Sequence, residues 1–313
     1  MDGGLKLFSI IVPVYNEEAV INESYARLTN VISSLNKPYE LIFVNDGSKD
    51  KTAEIIGGIQ KEDGNVTLVN FSRNFGHQAA ITAGMDYARG DAMIIIDADL
   101  QDPPEVILDM IKLWGQGYDV VYGKRDKREG ETFFKLLTAK IYYRLLSSLT
   151  DIEIPVDTGD FRLISRKVCD AMKNLPEKNR YVRGLVSWVG FKQVSLTYVR
   201  EERFAGETKY PLRKMLKLAV DGVTSFSYKP LRLATMIGFS FSVFSFLYLL
   251  YVLYLKVFTT NTISGWASII VILLFSQGIV LMILGLIGEY IGRIYEEAKN
   301  RPNYIVNEVI RKD

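Results

Sequence analysis

Short, unbroken apolar runs rich in β-branched residues recur through the first hundred residues, at Phe8–Val14, Leu41–Val44, Val66–Phe71 and Met93–Ile96. Runs without polar alternation fit strands of a parallel sheet buried on both faces. The segments between them read as helices over Ala19–Leu35, from an Asp50 N-cap through Ile59, and over Gln78–Ala88. Strands alternating with helices predict an α/β fold built on a doubly wound, mostly parallel sheet. Val120–Gly123 adds another strand. Thr132–Leu149 reads as a helix whose large apolar residues are interspersed with Lys135, Lys140 and Arg144, suited to a membrane surface or to packing within the domain. Pro211 opens an amphipathic helix whose Arg213, Lys214 and Lys217 suit anionic headgroups.

The pattern then changes. Leu233–Leu255 and Thr262–Gly288 contain no charged residue, and each exceeds the roughly 20 apolar residues needed to cross a bilayer. Arg213, Lys214, Lys217, Lys229 and Arg232 precede the first stretch; Arg293, Lys299, Arg301, Arg311 and Lys312 follow the second. This bias predicts two transmembrane helices with both termini cytoplasmic.

Polar residues gather at the ends of the early strands: Tyr15 and Glu17, then Asp46, Arg73, and finally Asp97 and Asp99. In an open α/β sheet these ends share one edge, where ligands bind. Asp97 and Asp99 flank one small residue, so an irregular turn can aim both at a single hard cation such as Mg²⁺, which is commonly shared with substrate phosphates. An isolated Asp-X-Asp fits a solvated acidic turn equally well; the convergence of strand ends favours a metal–diphosphate site. Asp46 suits either a base or ribose acceptor or a turn cap. The run Lys124–Arg128 suits a solvated loop or a phosphate. Asp157 and Asp160, in Asp157-Thr158-Gly159-Asp160, fall in a loop before a strand and suit a base, sugar-hydroxyl acceptors or turn caps.

Composition narrows this picture only in places. Hydrophobic residues make up 48% of the 313, an ordinary share, so their uneven distribution carries the information. A net charge of +2 without a basic, aromatic-interleaved cluster gives no support to a nucleic-acid partner. One histidine, His77, and one cysteine, Cys169, argue against a zinc site, and the lone cysteine fits a reducing compartment. No signal peptide is expected, because Leu7–Val14 is short and interrupted by Pro13. Neither a Gly-x-Gly-x-x-Gly turn after the first strand nor a Gly-Lys-Ser/Thr loop is present, so phosphate binding must use a metal and basic side chains.

Five motifs in order, Pro13-Val14-Tyr15-Asn16-Glu17, Val44-Asn45-Asp46-Gly47-Ser48, Asp97-Ala98-Asp99-Leu100-Gln101-Asp102-Pro103-Pro104-Glu105, Asp157-Thr158-Gly159-Asp160-Phe161-Arg162-Leu163 and Gly206-Glu207-Thr208-Lys209-Tyr210, resemble family 2 glycosyltransferases. The match is strongest to the polyprenyl-phosphate subgroup related to dolichyl-phosphate mannose synthase, in its bacterial undecaprenyl-phosphate form with two C-terminal spans. The resemblance implies a GT-A fold, a nucleotide-diphosphate sugar donor, and Mg²⁺ or Mn²⁺ on the Asp-X-Asp. It implies that Pro13, Tyr15, Glu17 and Asp46 line the nucleoside pocket. Asp97, Asp99 and Gln101 would bind metal, directly or through water, with Asp97 also against the donor. Arg125, Arg128 and Arg203, with Lys209 beside them, are implied for the lipid phosphate or donor diphosphate. Asp157 is implied as the catalytic carboxylate, with Asp160 as second choice. Members often form oligomers.

Processive relatives carry a Gln-x-x-Arg-Trp signature, of which Arg180-Tyr181-Val182-Arg183-Gly184-Leu185-Val186-Ser187-Trp188 is a partial echo. The expected organisation is a cytoplasmic GT-A domain at 1–210, a juxtamembrane helix at 211–231, two spans at 232–290 and a cytoplasmic tail at 291–313. The expected activity is inverting transfer of one sugar, from UDP-glucose or a related UDP-sugar, to undecaprenyl phosphate at the cytoplasmic membrane face. A processive polysaccharide synthase, or a decayed scaffold or lipid carrier, is the alternative.

Overall fold

The computed structural model describes residues 6–126, 155, 158–178, 180–201, 229–258 and 265–312. The helix expected at 132–149 and the amphipathic helix from Pro211 lie outside these residues.

The first four strands, β1 (Phe8–Val14), β2 (Tyr39–Asn45), β3 (Val66–Phe71) and β4 (Ala92–Ile95), fall within a residue or two of the apolar runs that predict them. They alternate with α1 (Ile21–Ser33), α2 (Thr52–Glu62) and α3 (His77–Tyr87). After β4 come α4 (Val106–Gly115), β5 (Val120–Arg125), β6 (Thr158–Ser165), α5 (Arg166–Lys173), α6 (Val182–Trp188) and β7 (Gln193–Tyr198). Two long helices, α7 (Lys229–Phe258) and α8 (Trp266–Ala298), precede a last strand, β8 (Val306–Ile310).

The eight strands form one sheet in the order β7-β5-β6-β4-β1-β2-β3-β8. β1 lies parallel between β2 and β4 with Ile11 opposite both Ile42 and Ile95, while β6 and β8 run antiparallel to their neighbours. This is the mixed, mostly parallel sheet of a GT-A fold. Successive β1 side chains serve opposite faces. Ile10 and Val12 pack with Leu28 and Ile56 of α1 and α2 and with Met110 of α4; Ile11 packs with Ile81 of α3 and Val168 of α5. Two apolar layers therefore hold the sheet between helices and fix the strand ends that carry the polar residues.

Asp50 caps α2 from one position further out than expected: its Oδ1 accepts from Thr52 N at 3.0 Å and Thr52 Oγ1 at 2.6 Å, with Lys51 at the N-cap. Gly47 shapes the same turn. Its φ of +67° is a left-handed conformation, and a Cβ there would stand 2.6 Å from the carbonyl carbon of Arg73. Only glycine lets the loop after β2 lie directly on the loop after β3.

α7 and α8 contain segments, Lys229–Tyr248 and Phe275–Ala298, that are long and apolar enough to cross a membrane and are unburied. They touch each other, with the Phe241 and Phe275 ring centroids 5.7 Å apart. The chain leaving α8 returns to the sheet. Glu297 Oε1 accepts from Lys178 N at 2.7 Å, Tyr304 stacks on Phe71 at 5.1 Å, and Tyr304 OH donates to Asp86 Oδ2 at 2.8 Å. β8 then pairs with β3. The segment 291–313, expected as a tail, thus supplies the end of a helix and an edge strand. Val306-Asn307-Glu308-Val309-Ile310 conceals this in the sequence, because only one side of an edge strand has a partner.

Candidate active site

At the carboxyl ends of β1, β2 and β3 lies an open cavity of about 430 Å³, lined by Tyr15, Asn45, Ser48, Lys49 and Arg73 among others. Pro13 is buried at the end of β1, beyond Ile11, the last residue paired with β4, where a missing N–H is tolerated. Glu17 holds the following turn to the next loop, its N–H donating to Thr52 Oγ1 at 2.8 Å. Asp46 is buried beside the cavity, with its carboxylate accepting from Phe75 N at 2.6 Å and Gly76 N at 3.0 Å. Burial pushes its pKa up, opposed by those backbone donors. Gly76 adopts φ +103°, a conformation open to glycine that lets both N–H groups face one carboxylate. Asp46 therefore joins the β2 loop to the start of α3, as a turn residue would.

The acidic loop follows β4. Leu100 is held at φ +57°, a costly left-handed conformation for a side chain of this kind, and Gln101 N donates back to Asp99 Oδ1 at 3.2 Å. Asp97 sits close to Asp99, Asp102 and Asp160. Burial first, and then repulsion by those carboxylates, pushes its pKa up to about 6 despite the attraction of His77. Gln101 Oε1 accepts from Arg200 Nη2 at 2.8 Å.

Asp160 does not lie in a loop. It is on β6, and its carboxylate is 6% exposed. Arg183, on α6, grips it bidentately, with Nε to Oδ1 at 2.8 Å and Nη2 to Oδ2 at 3.1 Å. Gln78 Nε2 donates to Oδ2 at 3.2 Å, while Gln78 Oε1 accepts from Val182 N at 2.9 Å, which ties α3 to α6. His77 Nε2 lies 3.2 Å from Asp160 Oδ2 and 3.5 Å from Asp97 Oδ1. Burial raises the cost of ionising Asp160, but Arg183 and His77 outweigh it and hold the carboxyl well below the ordinary range.

Burial alone would lower the His77 pKa; Asp97 and Asp160 instead raise it to about 9. His77 is the first residue of α3, where the helix dipole disfavours a cation, so the two carboxylates must supply the attraction. Because the folded value lies above the ordinary 6.5, the stabilisation is fully present below about pH 6.5 and lost as pH rises through about 9. In chelator, the difference in melting temperature between wild type and His77→Gln should be largest near pH 6 and vanish near pH 10. A difference independent of pH would show that His77 contributes only by packing.

A second group surrounds Asp102, which is 1% exposed. Tyr198 OH donates to Asp102, Arg125 Nη2 lies 3.9 Å away and Arg200 Nε 3.8 Å away. Arg125 also bonds to Tyr198 and Arg200 to Gln101, while Arg125 Nε is buried with no hydrogen-bond partner among the described residues. The loop after β4 thus brings carboxylates and cationic donors together, an arrangement suited to a metal–diphosphate group.

Asp157, Arg128, Arg203 and Lys209 lie outside the described residues. His77, Arg183, Arg200 and Asp102 belong to the cluster without having been singled out as site residues. For Arg183 a signal existed in the partial echo of Gln-x-x-Arg-Trp. His77 was visible as a polar residue just beyond a strand end. Among the described residues no three His, Cys, Asp or Glu side chains are placed to hold a metal. Two carboxylates nevertheless fit Mg²⁺ or Mn²⁺, because such ions retain water and take further oxygens from substrate phosphates.

Residues 9–172 match the model of glycosyl transferase family 2, and residues 229–294 match that of the GtrB C-terminal hairpin. The chain is 64% identical to an uncharacterized glycosyltransferase, YkcC, of Bacillus subtilis (strain 168), over 96% of this chain and 93% of that one. It is 44% identical to the bactoprenol glucosyl transferase of Shigella phage SfII, over 96% and 97% respectively. A crystal structure of glucosyl-3-phosphoglycerate synthase from Mycobacterium tuberculosis in complex with uridine-diphosphate covers 70% of this chain and 78% of that chain, at 21% identity and a TM-score of 0.46. Family 2 glycosyltransferases of the GT-A type typically use a divalent metal. With a family match over its catalytic half, a hairpin match over its apolar helices and full-length relatives of high identity, the chain belongs to glycosyl transferase family 2.

Proposed function

We propose that this glycosyltransferase moves one sugar, with inversion, from a nucleotide-diphosphate sugar to a polyprenyl phosphate at the cytoplasmic face of a membrane. The observation that carries the reading is the meeting of the Asp97–Asp102 loop with Arg125 and Arg200 at the same edge of the sheet as the strand-end cavity, in a chain whose two apolar helices suit a lipid substrate. The relatives named bactoprenol glucosyl transferase support undecaprenyl phosphate as acceptor and glucose as the sugar; UDP-glucose or a related UDP-sugar as donor follows from the resemblance of the sequence motifs.

Asp97 and Asp99 would hold Mg²⁺ or Mn²⁺, which when bound offsets the charge on the leaving diphosphate. Arg125 and Arg200, together with Arg128, Arg203 and Lys209 from the sequence motifs, neutralise phosphate oxygens and align the acceptor. A phosphate monoester, with a second pKa of about 6, is already largely a dianion near pH 7, so the acceptor needs little help from a general base. Asp160 is held ionised but engaged by Arg183, Gln78 and His77, and its role is to orient. Asp157 then acts mainly on the sugar or as an orienting group.

The test is incubation of purified protein with undecaprenyl phosphate, Mg²⁺ or Mn²⁺ and a panel of nucleotide sugars, with lipid products weighed by mass spectrometry. A lipid carrying one sugar is expected. Longer products would favour a processive synthase, and no product with any donor would overturn the reading.

A further inference from the structure

The strand-end cavity is completed by residues that arrive after the apolar hairpin. Asn307 and Glu308 of β8 both line it, opposite Tyr15, Asn45 and Arg73. Neighbouring residues of a regular strand face opposite sides of a sheet. Here the register slips: Asn70 pairs with Glu308 but Phe71 pairs with Val306, leaving Asn307 as an extra residue. Such a bulge re-aims side chains, and this one accounts for two consecutive residues lining one cavity.

Glu308 is joined to the pocket by a relay across three strands. Asn45 Oδ1 accepts from Ser48 N at 3.1 Å, Asn45 Nδ2 donates to Asn70 Oδ1 at 2.9 Å, and Asn70 Nδ2 donates to Glu308 Oε1 at 2.8 Å. Asn45 and Asn70 are buried and Glu308 is exposed, so the relay runs from the interior to an accessible carboxylate. Glu308 Oε2 accepts no hydrogen bond from the described residues. A carboxylate here repels phosphate and accepts from a neutral N–H or O–H, while Tyr15 offers an aromatic face. Those are the properties of a site for a base or ribose.

We propose that β8 is part of the donor site and that Glu308 accepts a hydrogen bond from the nucleoside of the nucleotide sugar. The proposal rests on the nucleotide-sugar reading above. It makes donor recognition a joint property of the catalytic sheet and of the chain segment leaving the hairpin.

The experiment measures binding of UMP, GMP, CMP and AMP, and of UDP and inorganic pyrophosphate with Mg²⁺, to the full-length protein, its Glu308→Gln variant and its Glu308→Ala variant. Glutamine can keep the Asn70 contact through its amide oxygen while offering a donor in place of the free acceptor. Loss of one charge-assisted hydrogen bond should weaken UMP and UDP by a similar factor of about tenfold. Pyrophosphate affinity and the KM for lipid phosphate should stay within about twofold, well inside the tenfold that 1.4 kcal/mol represents. Glu308→Gln should keep the wild-type melting temperature, whereas Glu308→Ala, which leaves Asn70 Nδ2 without its acceptor, should melt lower. UMP affinity equal to wild type in both variants would overturn the proposal while leaving the donor reading intact. Equal weakening of pyrophosphate would also overturn it, because the change would then be one of general pocket shape. A wild-type protein that binds none of UMP, GMP, CMP and AMP would overturn both the proposal and the donor reading.

Discussion

Asp97→Ala should reduce sugar transfer by on the order of a thousandfold, the scale on which a preorganised charge at a reacting centre acts. The side chain stands at the end of β4, 3.5 Å from His77, within the acidic loop that would carry the metal. The same substitution should leave stability unchanged or slightly increased. Burial and three neighbouring carboxylates push the Asp97 pKa up to about 6, so its charge is disfavoured where it stands and its removal relieves repulsion. Single-turnover transfer of labelled sugar, paired with a thermal melt in chelator, separates the two effects. Transfer above a tenth of the wild-type rate, in the sense of about 1.4 kcal/mol or less of lost transition-state stabilisation, would remove Asp97 from the chemistry.

Arg183→Leu has the second largest expected effect, and its sign on stability is the reverse. Arg183 makes a two-pronged ion pair with a carboxylate that is 6% exposed, and it donates a further bond from Nη1 to Thr158 O at 3.0 Å. Removing one partner of a buried pair costs roughly 3–5 kcal/mol. The lower end is expected, because Gln78 and His77 continue to serve Asp160. Unfolding of the purified protein in detergent should therefore begin about 6–12 °C lower. Activity should fall as well, because Asp160 and His77 lose their fixed relation to Asp97. An unchanged melting temperature would mean that Arg183 is solvated and its pairing with Asp160 contributes nothing.

The first four strands were legible because each is an undiluted apolar run ended by a polar turn, and both signals are local. Their common edge followed from topology, so Tyr15, Arg73 and Asp97 could be grouped before any coordinates. β6 was partly hidden. Thr158, Asp160, Arg162 and Ser165 are all buried, so its sequence reads as a polar loop while its environment is that of a central strand. What makes this tolerable is pairing with Gln78 and Arg183, and nothing near Asp160 in the chain announces those partners. In the sequence His77 is a lone histidine for the same reason, since its meaning depends on two carboxylates, one beyond β4 and one on β6. β8 is the extreme case: Glu308 and its partner Asn70 are 238 residues apart.

That separation bears on how the protein is made. While β1 to β7 emerge and fold, β3 is an unpaired edge, a template for pairing with another chain. Its cover is synthesised only after both apolar helices. Closure of the sheet therefore waits on synthesis of the whole hairpin, and a catalytic domain cut off before α7 carries a bare strand into solution.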